Sequence, residues 1–559
     1  MWFQRNLCSK RGLITKKFIF RSNQQIGAAA AELDDHYLSH CFVDTGDIDI
    51  ISNCSDPRLI LIGRTGSGKS AIIRQLYESA EHVINIRPES LSLTYIANSQ
   101  ILQFFIEAGV KLDIFFRLLW RHIFCVEILK EKFHITSEEK KKSFIEHLWT
   151  IVPKNKKNDA ALQYLRTWGE SFWEETEYRV QEVTTKLERD LTASIEGEVP
   201  KIGKLSAGAA RKLSEEQKEN VISRAQTVVN SVQIRELTNV MELLDEIIST
   251  NSQQKYLITI DKLDEDWIED QFRFRLIRAL IETSIDFYSN VKNVKIIIAL
   301  RSDLVDRVFR YTRDSGFQEE KIRTSCLDIE WNLYQLTEVL DSRINILVKN
   351  QYTKEPVTYK DVLPEKIGKQ PTIEYMMDRT LLRPRDIIQF FNECIKTSDG
   401  KSIISQKALI QAEGTYSKER LRALFDEWYG LYPNLEFLYT LLRGKKDVFI
   451  LENITEDELT TNYLEILASG RGKPGVDMEL MLMAFNNLLS IDVYRINIVH
   501  IFYKVGLVGL RTEKGNPISW SHINGPDVST SEITETSRIY IQKTFYRVLG
   551  VTDGTNLQD

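Results

Sequence analysis

Short apolar runs that end at a glycine or a charged residue divide the chain. Three of them occupy 58–62, 256–260 and 294–300. Runs of this length without polar alternation predict strands buried on both faces of a parallel sheet. A helical pattern at 268–288 would connect the second strand to the third, as parallel pairing requires. We therefore predict an α/β fold with a parallel sheet.

The remaining pattern is mainly helical. Capping boxes are expected at Thr136 to Glu139 and at Ser214 to Gln217, and the glycine-containing stretch 196–208 predicts a loop. At 494–520 the order is helix, strand, turn and strand, which is similar to a winged helix. We predict a basic tail at 1–30, an α/β core at 31–100 and 251–330, a helical insertion at 101–250, a helical lid at 331–425 and a winged-helix-like domain at 426–559.

A glycine-rich segment follows the first predicted strand. Gly63 to Ser70 matches G-x-x-x-x-G-K-[ST] in full, and a helical pattern follows it. Glycines let backbone N–H groups approach phosphates, and a helix N-terminus favours negative charge. Lys69 would contact the β- and γ-phosphates, and Ser70 would bind Mg²⁺. The predicted ATP site comprises Gly63, Arg64, Thr65, Gly66, Ser67, Gly68, Lys69, Ser70 and Ala71.

Acidic residues follow the second predicted strand. Asp261 ends this strand and is the predicted Mg²⁺ ligand beside Ser70. Many ATPases carry the water-activating acid at the next position, which is Lys262 here. Asp264 or Glu265 would have to take that role, or hydrolysis would be slow. An acidic helix N-terminus is the structural alternative.

Arg301 ends the third predicted strand, at the sheet edge that faces the ligand in open α/β folds. It would contact the γ-phosphate. A surface ion-pair run with Asp303, Asp306 and Arg307 is the alternative. The predicted catalytic set is Lys69, Asp261, Asp264, Glu265 and Arg301.

The segment Asp261 to Asp264 resembles the guanine-reading N-K-x-D motif, with Asp in place of Asn. No D-x-x-G sequence lies between Ser70 and this strand. The combination favours ATP over GTP.

Composition narrows the class of protein further. The formal net charge is −6, which disfavours a strongly basic nucleic-acid binder but leaves room for a local basic patch. The six cysteines show no C-x-x-C spacing, which indicates reduced thiols and a cytoplasmic location. No apolar run approaches the roughly 20 residues that span a bilayer, so no membrane association is expected.

The chain resembles the STAND and KAP-type branch of the AAA+-like P-loop ATPases. The resemblance lies in the phosphate loop and in the segments 260–265, 300–303 and 383–388. It implies a helical lid whose residues Arg383, Pro384 and Arg385 lie near the nucleotide. A plain helix start with proline near its first position is the alternative. The sequence departs from these families at Lys262, where Asp or Gly is usual.

A narrower likeness is to a poorly characterised bacterial ATPase group whose genes often lie beside phage-defence genes. It is carried by the stretches 31–35, 119–122 and 545–550. The resemblance implies an ATP-hydrolysing switch that controls oligomerisation or a partner effector in antiviral defence. The alternatives are a DNA-acting motor or initiator, with nucleic acid as a less favoured partner, and a nucleotide-stabilised scaffold that does not hydrolyse ATP.

Overall fold

The computed structural model describes residues 18–28, 30–88, 99–134, 185, 188–193, 210, 213–231, 234–249, 254–265, 267–313, 318–349, 356–523 and 527–551. The chain forms two compact units. The sheet unit comprises Asp44–Gly63 and Lys69–Ile329. The helical unit comprises Met1–Val43, Arg64–Gly68 and Glu330–Asp559. The domain boundaries expected from sequence remain predictions.

Ten strands are assigned within the described residues. They are β1 Ile60–Gly63, β2 Val83–Ile86, β3 Tyr256–Ile260, β4 Val294–Arg301, β5 Cys326–Asp328, β6 Lys366–Ile367, β7 Gln370–Pro371, β8 Val448–Ile450, β9 Val508–Arg511 and β10 Arg538–Ile541.

The α-helices of the described residues are as follows. They are α1 Asp35–Cys41, α2 Asp47–Ser52, α3 Lys69–Ser79, α4 Gln100–Glu107, α5 Asp113–Phe133, α6 Glu215–Ser231, α7 Ile234–Ser249, α8 Asp270–Asn290, α9 Ser302–Thr312, α10 Glu319–Arg323, α11 Leu333–Lys349, α12 Tyr359–Val362, α13 Thr372–Met377, α14 Pro384–Thr397, α15 Gln406–Trp428, α16 Leu435–Leu438, α17 Glu456–Ser469, α18 Val476–Phe485, α19 Ile491–Val505 and α20 Tyr546–Leu549.

The sheet unit contains a five-stranded parallel sheet in the order β2-β3-β4-β1-β5. Every residue of β1 and β3 is buried, as expected for strands covered on both faces. The predicted mixed α/β architecture with a parallel sheet is confirmed. Helix α8 connects β3 to β4, and β4 lies between β1 and β3.

The helices of the sheet unit pack through aromatic side chains. Trp120 and Phe124 of α5 stack 5.8 Å apart, and Phe124 meets Phe287 of α8 edge-on at 5.4 Å. The Trp120 indole donates to Leu276 O at 2.9 Å, which satisfies its buried N–H. Helix α5 therefore packs against α8.

The two predicted capping boxes have different outcomes. At the start of α6, Gln217 N donates to Ser214 Oγ at 3.3 Å, and Ser214 N donates to Gln217 Oε1 at 3.1 Å, so this box is confirmed. The box at Thr136 to Glu139 and the loop at 196–208 lie outside the described residues.

The helical unit has its own core. Helices α14 and α15 pack closely, with Phe390 stacked on Tyr416 at 4.7 Å. Toward the C-terminus, β8, β10 and β9 form an antiparallel sheet in that order beside α19. The stretch directly after the turn meets β9 through an isolated antiparallel bridge between Leu510 and Ser519. The winged-helix assignment stays a prediction.

In the part of the chain that the structure describes, no helix has both the length and the apolar character needed to cross a bilayer. The five cysteines in the described ranges, Cys41, Cys54, Cys125, Cys326 and Cys394, are free thiols.

Candidate functional site

The glycine-rich loop links β1 to α3. It turns at Gly66, with φ 81°, and at Gly68, with φ 104°, a region that glycine enters without strain. At the start of α3, Lys69 is 9% exposed, and its Nζ donates to Gly63 O at 2.8 Å. Ala71 follows in the first turn of the helix. The ammonium group of Lys69 therefore lies at the end of β1 from which the loop departs.

Ser70 and Asp261, predicted as Mg²⁺ ligands, are in contact. Ser70 Oγ donates to Asp261 Oδ2 at 2.8 Å, and Lys262 N donates to Asp261 Oδ1 at 2.8 Å. Burial raises the pKa of Asp261 above its ordinary value, and the hydrogen bond from Ser70 opposes this rise. A hydroxyl beside a carboxylate offers two oxygen atoms of the kind Mg²⁺ prefers.

Within the described ranges, no group of three or more His, Cys, Asp or Glu side chains could hold a metal ion. Mg²⁺ usually keeps several waters and takes only one or two carboxylates, with substrate phosphates as further ligands. The pair of Ser70 and Asp261 fits this sparse kind of site.

Arg301 lies at the end of β4, between the strands that lead to the loop and to Asp261. Its Nη1 donates to Asp264 Oδ2 at 3.1 Å, while Nε and Nη2 donate to the two Asp303 carboxylate oxygens at 2.8 and 3.0 Å. Arg307 instead pairs with Asp270 at 2.6 Å. The structure therefore brings Arg301 and Asp264 together. The pair of Arg301 and Asp303 also forms part of the ion-pair run expected as the alternative.

Lys262 and Glu265 form an exposed pair beyond β3. Lys262 has φ 63°, an uncommon value for a residue other than glycine. Its Nζ lies 3.5 Å from Glu265 Oε1, and the two side chains are 43% and 51% exposed. The two candidate catalytic acids thus differ in their surroundings, because Asp264 is bound to Arg301 and Glu265 to Lys262.

Arg383, Pro384 and Arg385 begin α14 in the helical unit. Pro384 is the first helical residue, where its missing N–H costs no hydrogen bond. Arg383 is 5% exposed, and its Nη1 donates to Thr65 O at 2.9 Å. A Cβ added to Gly66 would lie 2.6 Å from the Arg385 Cβ. Both arginines therefore touch the loop backbone.

Sequence reasoning missed other residues that hold the loop. The Trp331 indole donates to Ser67 O at 2.7 Å. Arg383 also pairs with Asp386 at 3.0 Å and with Glu427 at 3.2 Å. The i,i+3 spacing in Arg-Pro-Arg-Asp is a signal for the first of these ion pairs. No local pattern marks Trp331 or Glu427.

Comparisons with known proteins add two similarities. A family model described as the FunZ-associated C-terminal helical domain matches residues 334–425. A protein of Escherichia coli (strain K12), provisionally named the transposon gamma-delta 80.3 kDa protein, is 23% identical over 513 residues, 90% of this chain and 64% of that protein. The chain thus spans somewhat less than two thirds of that relative's length. No solved structure matches this chain.

Proposed function

We propose that this protein binds ATP with Mg²⁺ at the loop from Gly63 to Ser70 and hydrolyses it as part of a nucleotide-controlled switch. The contact between Ser70 Oγ and Asp261 Oδ2 at 2.8 Å carries the proposal. The first of these residues belongs to a complete phosphate-loop motif and the second to another strand. Their meeting supplies the hydroxyl and the carboxylate that hold Mg²⁺ in such sites.

The chain's own residues divide the work of this site. Lys69 would exchange its bond to Gly63 O for the β- and γ-phosphate oxygens, and its charge would stabilise them. Ser70 and Asp261 would hold Mg²⁺, which supplies further neutralisation of phosphate charge when bound. Asp264 or Glu265 would orient and deprotonate the attacking water, and Arg301 would contact the γ-phosphate.

The switch part of the proposal is supported by the contacts of the loop backbone. Arg383 and Trp331 donate to two carbonyl groups of the loop, so a ligand that reshapes the loop would disturb residues of α14 and the segment before α11. The outcome would be a change in oligomerisation or in binding of a partner effector. A role in antiviral defence rests on the resemblance alone.

We expect the protein to bind ATP more tightly than GTP in the presence of Mg²⁺. In the segment Asp261 to Asp264, the first carboxylate is engaged by Ser70 of α3 and the last by Arg301. The guanine-reading motif is also incomplete here, because Asp261 stands where that motif carries Asn, and this favours ATP over GTP. Calorimetric titrations of the full chain with ATP and GTP test this expectation. Tighter binding of GTP would overturn the nucleotide assignment, and binding of neither would overturn the proposed function.

The second candidate function is a DNA-acting motor, and two observations favour it. The name of the Escherichia coli relative attributes that protein to a transposon. In this chain, a cavity of about 560 Å³ beside β8 is lined by Lys445, Lys446 and Arg538, with no carboxylate among the lining residues. Lys445 is paired with Glu458 at 2.6 Å, whereas Lys446 and Arg538 are exposed.

The motor hypothesis predicts that DNA stimulates ATP turnover and that added salt removes this stimulation. Salt acts in this way because contacts with DNA phosphates release counterions. Under this hypothesis, the double variant Lys446→Ala with Arg538→Ala should lose the stimulation by DNA. Its ATP turnover in the absence of DNA should equal that of the parent. Turnover measured with and without DNA across a salt series distinguishes the candidates. A DNA-independent rate supports the switch, and a stimulated rate in the parent that the double variant loses supports the motor.

A further inference from the structure

The side chain of Arg64, the second residue of the glycine-rich loop, lies among residues near the C-terminus. Its Nη2 donates to Val505 O at 2.6 Å, and its Nε pairs with Glu427 Oε1 at 3.3 Å. The guanidinium carbon lies 5.9 Å from the ring centroid of Trp428, within the range of a cation–π contact. Only 10% of the Arg64 side chain is exposed. These partners therefore hold the Arg64 side chain in the structure.

The backbone at Gly506 provides the space for this side chain. Gly506 follows the last residue of α19 and has φ 88°. A Cβ added to it would lie 2.6 Å from Arg64 Nη1, so a larger residue would force the guanidinium to shift from its partners. The glycine thus serves both the turn after the helix and the close approach of Arg64.

Glu427 connects two successive positions of the loop. Its Oε1 accepts from Arg64, and its Oε2 accepts from Arg383 Nη1 at 3.2 Å. The same Arg383 nitrogen donates to Thr65 O at 2.9 Å. One carboxylate on α15 therefore anchors the side chain at the second position of the loop and, through Arg383, the backbone at the third.

The charges behind this anchor are also paired. Asp386 is fully buried, and its two oxygens pair with Arg383 at 3.0 Å and with Arg420 at 2.7 Å. Burial acts to raise the pKa of Asp386, but Arg383 and Arg420 hold it below its ordinary value. Removing one member of such a buried set leaves another charge uncompensated, which is strongly unfavourable. The glycine-rich loop is therefore held by paired, buried side chains, and moving one of them alone would leave its partner without a counter-charge.

We propose that Arg64 couples the phosphate-binding loop to the end of α19, so that ATP binding and docking of this helix end strengthen one another. The inference rests on the proposed ATP site. Anchoring of the loop before the ligand arrives reduces the ordering cost of binding. Because coupling is reciprocal, ATP must then stabilise the contact at Val505 and Gly506 by the same factor.

Amide hydrogen exchange of residues 503–511 in the full chain tests the coupling. In the parent, we expect saturating ATP with Mg²⁺ to slow exchange in this segment. Arg64→Ala should exchange faster there without nucleotide, should lose the effect of ATP, and should bind ATP about fivefold more weakly. Arg64→Lys keeps a charge beside Glu427 but lacks the planar fork that reaches Val505 O, so it should restore binding in part.

A change outside the loop provides the decisive control. Gly506→Ala places a methyl group against the guanidinium of Arg64 and should weaken ATP binding like Arg64→Ala. Gly515→Ala imposes similar backbone strain, since Gly515 has φ 102°, but no atom lies within 4 Å of the added Cβ. It should bind ATP like the parent. Equal affinities of the two glycine variants, or ATP binding in the parent that leaves exchange unchanged, would overturn the coupling. A parent that binds no ATP overturns the proposed function as well.

Discussion

Lys69→Ala is expected to lower the affinity for ATP at least tenfold, which is about 1.4 kcal/mol. The change removes the ammonium group that would contact the β- and γ-phosphates and leaves the backbone of the loop in place. In the structure this group donates to Gly63 O at 2.8 Å, so its loss also frees a carbonyl at the end of β1. Calorimetric titration with ATP and Mg²⁺ measures the effect.

A matched control for this variant lies one turn further along α3. Arg74 carries the same charge, is 33% exposed and lies 3.9 Å from Glu78 in a surface pair. Surface pairs contribute little, so Arg74→Ala should bind ATP like the parent. Thermal melts of both variants establish that they are folded. Unchanged affinity in a folded Lys69→Ala protein would show that this loop does not bind the phosphates.

The strands with the strongest apolar pattern were predictable from sequence. Strand β3 has the predicted bounds, and β4 is one residue longer than its apolar run because Arg301 continues the pairing. Strands β2 and β5 were missed. β2 is largely half-exposed and has a polar residue in its centre, and β5 has three residues. Neither is long enough or apolar enough to give a periodic signal.

The site was predictable to the extent that its residues belong to local motifs. The contact of Ser70 with Asp261 joins two such motifs, and the structure places it at 2.8 Å. Strand order could not be read from the sequence, and the structure places β4 between β1 and β3. Arg64 and Glu427 are 363 residues apart, so only the folded chain shows their pairing.

Changes at the acids after β3 should separate Mg²⁺ binding from turnover. Asp261→Asn weakens the proposed ligand of Mg²⁺ and should reduce both ATP affinity and turnover. A general base contributes about 10²- to 10⁴-fold to the rate. Loss of the carboxylate that serves as this base, at Asp264 or Glu265, should therefore lower kcat by about 10² or more and leave the ATP affinity unchanged. Asp264→Asn also releases Arg301 from its 3.1 Å pair, whereas Glu265→Gln disturbs the exposed pair with Lys262.

The three variants are compared with Glu319→Gln, which alters an acid that is 42% exposed and lies 3.8 Å from Arg323 on α10. This control should hydrolyse ATP at the parent rate. Mass photometry with ATP should show that the variant lacking the catalytic acid retains any ATP-induced oligomer, because the proposed switch would need hydrolysis to reset. Parent-like turnover in both Asp264→Asn and Glu265→Gln would show that neither residue is the catalytic acid. If the parent itself shows no turnover with a partner or with DNA, Lys262 marks a nucleotide-stabilised scaffold, since a lysine at this position cannot activate water as a carboxylate does.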